Sequence, residues 1–175
     1  DDSTVNDSYA TGNVSGSGSQ HGGLVGQNIG SGTVTDSYAA VNVSGYSDLG
    51  GLVGDNQEPV EESYATGNAA GDEDDGGYIG GLAGANGDPG TVKKSYATGD
   101  VSSSSDKVGG LVGSNTYATV KTSYATGNVS GSSDVGGLVG YNFGGTVTDS
   151  YWDKDTTGQS SSAGSATGLT TDQLK

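Results

Sequence analysis

The sequence predicts an all-β protein: a β-solenoid (β-helix) of five to six coils, roughly 28 residues per coil, with a C-terminal cap. Three observations predict it. Tyr recurs at 9, 38, 64, 96, 124 and 151, so one unit is rewritten every 26 to 32 residues. The unit is built of Val, Thr, Tyr and Gly, which favour strands and turns, and the chain's 35 glycines would each cost a helix about 1 kcal/mol against alanine. Within the unit small or apolar residues alternate with polar ones, the period of a strand with one wet face.

The first block of each unit reads TV-x-x-SYA. Its Val stands four residues before Tyr every time, at 5, 34, 60, 92, 120 and 147. The second block reads TGNVS. In residues 123–130, Ser123, Ala125, Gly127 and Val129 share one face, and Tyr124, Thr126, Asn128 and Ser130 share the other. Across the units the first face stays small or apolar, with Val41 for Gly and Ala69 for Val. A charge, Asp100, appears only on the second. The first face is therefore inward and the Tyr face outward.

The third block, (V/L/I)GGLVGxN, places Leu at 24, 52, 82, 111 and 138. Leu138 and Val139 cannot both point inward from a regular strand, so a bend is expected there. Length varies only between blocks, by 14 to 18 residues from Tyr to Leu and 8 to 10 from Leu to the next Val. Fixed blocks with elastic joins describe stacked strands with surface loops between them. Coils stacked at the strand spacing of about 4.8 Å give a rod of roughly 25–30 Å. Residues 1–151 form the repeats and 152–175 the capping segment, with Trp152 over the last coil and a short helix starting near Thr171.

Composition narrows the function. The net charge is −15, from 17 Asp and 4 Glu against 6 Lys and no Arg. Nucleic acid and anionic membrane surfaces need Lys and Arg, so neither is an expected partner. Asp dominance with scarce Lys is the composition of a protein from high salt. The absence of Cys excludes disulfides, thiolate metal sites and a cysteine nucleophile. No apolar run approaches 18 residues, and no signal peptide is present. The chain opens inside a repeat, as a mature product or an excised piece would.

"GGLVGxN" followed by "GTVTDSYATGNVSG" resembles the GLUG repeat. The motif stands at Gly23–Gly26, Gly51–Gly54, Gly81–Gly84, Gly110–Gly113 and Gly137–Gly140. The closing "SYWDKDTTGQSSSAGSATGLTTDQLK" is similar to the segment that ends such arrays, so the resemblance spans about residues 4 to 175. It implies a secreted or surface, adhesin-like protein of bacteria or archaea, with no catalytic residue in the motif. The third unit departs from the pattern with "QEPVEE" and the acidic insertion "GDEDDGGY".

No catalytic or cofactor-binding residue is assigned. His21 is the one histidine, too few for a zinc site, and reads as a solvated loop residue. Asp72, Asp74 and Asp75 offer oxygen ligands to Ca²⁺, but without EF-hand spacing the cluster reads first as a solvated insertion. Asn6, Asn13, Asn42 and Asn128 head N-x-S sequons and are candidate glycan acceptors. Asn at 28, 56, 86, 115 and 142, and at 13, 42, 68 and 128, are expected to stack as hydrogen-bonded ladders. Tyr9, Tyr38, Tyr64, Tyr96, Tyr124 and Tyr151 form an aromatic rank, the expected contact ladder for any partner.

The expected function is non-enzymatic: an extracellular structural or adhesive module at the cell surface, a stalk, adhesin or filament subunit, from a halophile. Its partners would be further copies or flanking domains stacked end to end, or surface glycans and proteins. The alternative is a carbohydrate-binding or polysaccharide-degrading β-solenoid domain.

Overall fold

The computed structural model describes residues 3–72, 77–104 and 106–175. It is a parallel β-solenoid whose coils contribute strands to four walls. The first wall has six strands, Thr4–Asn6, Thr33–Thr35, Pro59–Glu61, Thr91–Lys93, Thr119–Lys121 and Thr146–Thr148. Its valines pair in one unbroken register, Val5 to Val34 to Val60 to Val92 to Val120 to Val147. The second wall carries the SYATGNVS block. The third carries the residues that end in the first Gly of GGLVG, and the fourth carries VGxN.

A left-handed residue turns the chain from the first wall to the second. It is Asp7, Asp36, Glu62, Lys94, Thr122 or Asp149, each with φ of 48 to 51°. The serine that follows explains why a Ser precedes every Tyr of the rank. Its N–H donates to the Oγ of the serine in the next coil at 3.1 to 3.2 Å. From Ser37 to Ser150, that Oγ donates in turn to the carbonyl two residues earlier at 2.7 to 2.9 Å. A hydroxyl satisfied in both directions can be buried without penalty, so Ser37, Ser63, Ser95, Ser123 and Ser150 are.

Beyond this corner the alternation holds. Ser123, Ala125, Gly127 and Val129 are buried, while Tyr124, Asn128 and Ser130 are exposed. Val41 and Ala69, the departures on the inner face, are buried as well.

The expected bend in GGLVG is present. Gly137 and Leu138 lie between the strands Ser133–Gly136 and Val139–Phe143, and Leu138 and Val139 are both fully buried. The bend brings the chain hard against its neighbours. A Cβ on Gly110 would lie 2.2 Å from the Gly137 carbonyl oxygen and 3.0 Å from the Ala125 methyl. The interior is thus one side chain thick, and the glycine of one wall requires the alanine of another.

After VGxN, an internal asparagine ladder closes the coil. Asn28 donates to Asn56, Asn56 to Asn86, Asn86 to Asn115 and Asn115 to Asn142, at 2.7 to 2.8 Å. The second asparagine rank works differently. There the side-chain oxygens of Asn42, Asn68 and Asp100 accept the N–H of Asn68, Asp100 and Asn128 in the next coil. Because that oxygen only accepts, Asp100 replaces Asn without loss.

The departing third unit stays in register. Pro59–Glu61 pairs with Thr91–Lys93, which sets Glu61 against Lys93 at 3.2 Å and Glu62 against Lys94 at 2.7 Å. Both pairs are open to solvent, which screens them, so they mark the register more than they stabilise it.

The C-terminal end is closed by the chain itself. Trp152 takes the register position of Ala125 and lies over Gly137, and its Nε1–H donates to the Gln159 carbonyl at 3.0 Å. The expected helix near Thr171 is not there; residues 170–174 make one hydrogen-bonded turn. The helix is Lys154–Thr157, because the stronger start signal is Asp153, whose carboxylate accepts from the N–H of Asp155 and Thr156. Gly158, at φ 70°, ends it. Thr171 serves that cap instead, donating its hydroxyl to Asp153 Oδ2 at 2.7 Å. The chain then crosses the open strand edges. Gln159 donates to the Val129 carbonyl, Ser161 and Ser162 accept from Gly137 and Val139, and Thr167–Leu169 adds a strand beside Tyr151–Asp153.

At the N-terminal end Val5, Ala10, Val14, Leu24 and Val25 are only partly buried, although their counterparts Val34, Ala39, Val43, Leu52 and Val53 are buried fully. His21 corrects the sequence reading. It is not a solvated loop residue but occupies the inward position held by Leu49, Ile79, Val108 and Val135 in later coils. Its ring lies between Gly16 and Gly45, and its Nδ1 is buried with no hydrogen-bond partner. The sequence signal was there: His21 stands immediately before Gly-Gly, where every other unit has an aliphatic residue.

Candidate functional site: a tyrosine ladder and an aromatic strip

The Tyr rank lies on the outer face of the second wall, fixed by the serine ladder one residue before it. Rings stack in sequence from Tyr9 to Tyr38, Tyr64, Tyr96 and Tyr124, with centroids 4.8 to 5.4 Å apart and planes within 10°. Tyr151 continues the backbone register beside Tyr124. Each such pair adds about 0.5–1.5 kcal/mol beyond its area. The stacking also decides what the ladder can offer. The faces of the inner rings are covered by their neighbours, leaving edges and hydroxyls to solvent. Burial, then the neighbouring Tyr124 and Tyr64, push the Tyr96 phenol above its ordinary value, and burial does the same to Tyr124. These phenols stay neutral donors through the physiological range.

The sequon asparagines Asn6, Asn13, Asn42 and Asn128 are all exposed. Asn42 is engaged on both sides, its Nδ2 donating to Asn13 Oδ1 at 3.3 Å and its Oδ1 accepting from Asn68. Of the acidic residues in the insertion only Asp72 is described, its N–H donating to the Gly45 carbonyl; Asp74 and Asp75 lie outside the described residues. Among the described residues no group of three or more acidic or histidine side chains is arranged to hold a metal ion.

A second aromatic group escaped the sequence reading because it does not recur with the repeat. On the VGxN wall, the residue before each Asn is Gln27, Asp55, Ala85, Ser114 and finally Tyr141; the residue after it is Ile29, Gln57, Gly87, Thr116 and finally Phe143. Tyr141 and Phe143 have parallel rings, 2° apart in plane, with centroids separated by 6.5 Å. Tyr117, from the preceding coil, meets Phe143 edge-on at 5.2 Å. Lys107 Nζ sits 5.3 Å from the Tyr78 ring and 5.6 Å from the Tyr141 ring. A column-by-column alignment of the five units would have exposed this group, since both columns change to aromatics only in the last coil.

Stacked parallel coils with four short walls and a self-made end plate define a β-solenoid repeat protein. The family model described as the GLUG motif matches residues 75–102, 107–130 and 131–151, so these three segments carry the GLUG motif. The two N-terminal units carry the same Gly-Leu-Val-Gly and pair with the matched units in one register. No curated protein and no solved structure matches the chain.

Proposed function

We propose that this protein is a non-enzymatic structural module of an extracellular, cell-surface assembly: a rigid stalk or adhesive segment. The observation that carries this reading is the uniformity of the coils. The Ser, Tyr, Ala, Gly, Val and Asn positions of the SYATGNVS block and the Gly, Leu and Asn positions of GGLVGxN have ladder, packing or corner roles that recur from coil to coil, as a wall requires and a catalytic site does not. The partly exposed first coil presents the same surface that every later coil buries against its neighbour. It is suited to join another coil of this type, and the self-closed C-terminal end is not. Incubating the protein with a panel of polysaccharides tests the non-enzymatic reading. No new reducing ends are expected, and their appearance would overturn it.

High-salt adaptation is the second part of the proposal. Three ion pairs are present among the described residues, against 21 carboxylates in the chain. Repulsion among the remainder weakens the fold at low salt. Raising salt from about 0.1 M to about 1 M shortens the screening length from ~10 to ~3 Å. The melting temperature is expected to rise over that range; a flat or falling value removes the claim.

A further inference from the structure

We propose that the aromatic strip on the last coils, Tyr117, Phe143 and Tyr141 with Lys107 and Tyr78, is a binding platform for a neutral polysaccharide chain. This goes beyond the structural role and does not depend on it. In a repeat protein, a residue present in every coil is explained by the coil. Tyr141 and Phe143 stand in columns that hold a different residue in every coil, so coil building does not account for them. Neither do they fill the core: Tyr117 and Phe143 are 59% and 50% exposed. Leaving such rings in water is unfavourable unless something covers them.

The rings are also held in place. Tyr117 has φ of 53°, and its N–H donates to the Phe143 carbonyl at 2.9 Å. Its ring lies against Gly144, where a Cβ would come within 2.5 Å of Tyr117 Cε1. Gly144 itself is left-handed, at φ 63°. A positioned ring loses little freedom on binding, which is the condition for useful affinity from few contacts.

Charge selects the class of ligand. The strip carries one cation, Lys107, on a protein of net charge −15. Its neighbour in sequence is an anion, Asp106. Asp106 accepts from Ser133 at 2.6 Å and Ser132 at 3.3 Å, and these bonds together with Lys107 hold its carboxyl below the ordinary value. At low salt an acidic chain would meet the field of the whole protein with one lysine beside the rings to compensate, and a second copy of this chain would bring −15 against −15. A neutral sugar chain meets neither cost. Its C–H faces carry the partial positive charge that the negative face of an aromatic ring attracts, and its hydroxyls suit the rim of Tyr hydroxyls. The ladder on the second wall cannot serve the same way, because its ring faces are covered by one another.

The test is titration of the intact protein with neutral hexaoses (cello-, xylo-, manno- and chito-), followed by calorimetry and by the Tyr fluorescence. At least one should bind. Phe143→Ser and Tyr117→Ser, both at exposed positions, should each weaken that binding by about tenfold or more while melting temperature and circular dichroism hold. Tyr64→Ser, in the ladder, should leave the affinity unchanged. No binding by any of the four sugars overturns the proposal. So does binding that survives both strip variants, or a preference for an acidic polysaccharide such as polygalacturonate. Binding without new reducing ends supports both this platform and the structural reading; cleavage with binding at the strip overturns the structural reading alone.

Discussion

The first and last coils among the described residues are built from the same repeat and packed in opposite ways. At the C-terminal end Trp152 replaces the inward alanine, fills the space above Gly137, and is followed by a segment that meets the free strand edges one after another. At the N-terminal end the same inward positions hold Val5, Ala10, Leu24 and Val25, half-covered, and the aliphatic position before Gly-Gly is His21. The repeat specifies a coil but not an end. A coil buries its apolar face only against another coil, so each end needs its own chemistry. One end has it in a single large aromatic and a capped helical turn. The first coil has the half-covered apolar face on which a further coil of this type would stack.

The largest way to break this contrast is at the plate. Trp152→Ala removes the side chain that seals the last coil and should cost about 3–5 kcal/mol in a denaturant titration. Leu111→Ala in the middle of the stack should cost about 2–5 kcal/mol, whereas Leu24→Ala, half-covered in the first coil, should cost roughly 1 kcal/mol. Equal losses at 24 and 111 would mean that the first coil is as well packed as the rest.

A smaller effect belongs to Asp153. It is buried, which works against its charge, but bonds from Thr171 and from the N–H of Asp155 and Thr156 prevail and hold its carboxyl below the ordinary value. A depressed folded value means that its contribution is complete above the ordinary aspartate range and is lost as pH falls through the folded value. Asp153→Ala should cost about 1–2 kcal/mol at neutral pH and remove that part of the acid sensitivity. The smallest effect is a gain. Thr122 is β-branched and left-handed, at φ 51°, with its side chain in solvent. Thr122→Gly should stabilise by about 1 kcal/mol. Thermal unfolding of the two variants checks both.

Much of this was legible in the sequence. The period, the inward Ser-Ala-Gly-Val face, the bend at Leu138 and Val139 and the internal asparagine ladder all follow from alternation and from columns that repeat. What stayed hidden lies off the repeat. The helix at 154–157 was displaced in the reading because a four-residue helix has no periodicity, only the Asp153 cap. The pairing of Glu61 and Glu62 with Lys93 and Lys94 required the register between units. His21 was misjudged because it was read as a lone histidine and not as a member of the Leu49, Ile79, Val108 column. The strip at Tyr117, Tyr141 and Phe143 is hidden for the opposite reason: it stands in columns whose residue differs from coil to coil, where no period marks it.

Amide hydrogen exchange on the intact protein, resolved by coil, tests the central claim most directly. Amides around Leu138 and Val139, under the plate, should exchange as slowly as those around Leu111 and Val112, while those around Leu24 and Val25 should exchange first. Equal protection in the first and last coils, or faster exchange beneath Trp152 than at Leu24, would contradict the account of a last coil sealed by Trp152 and a first coil only half-covered.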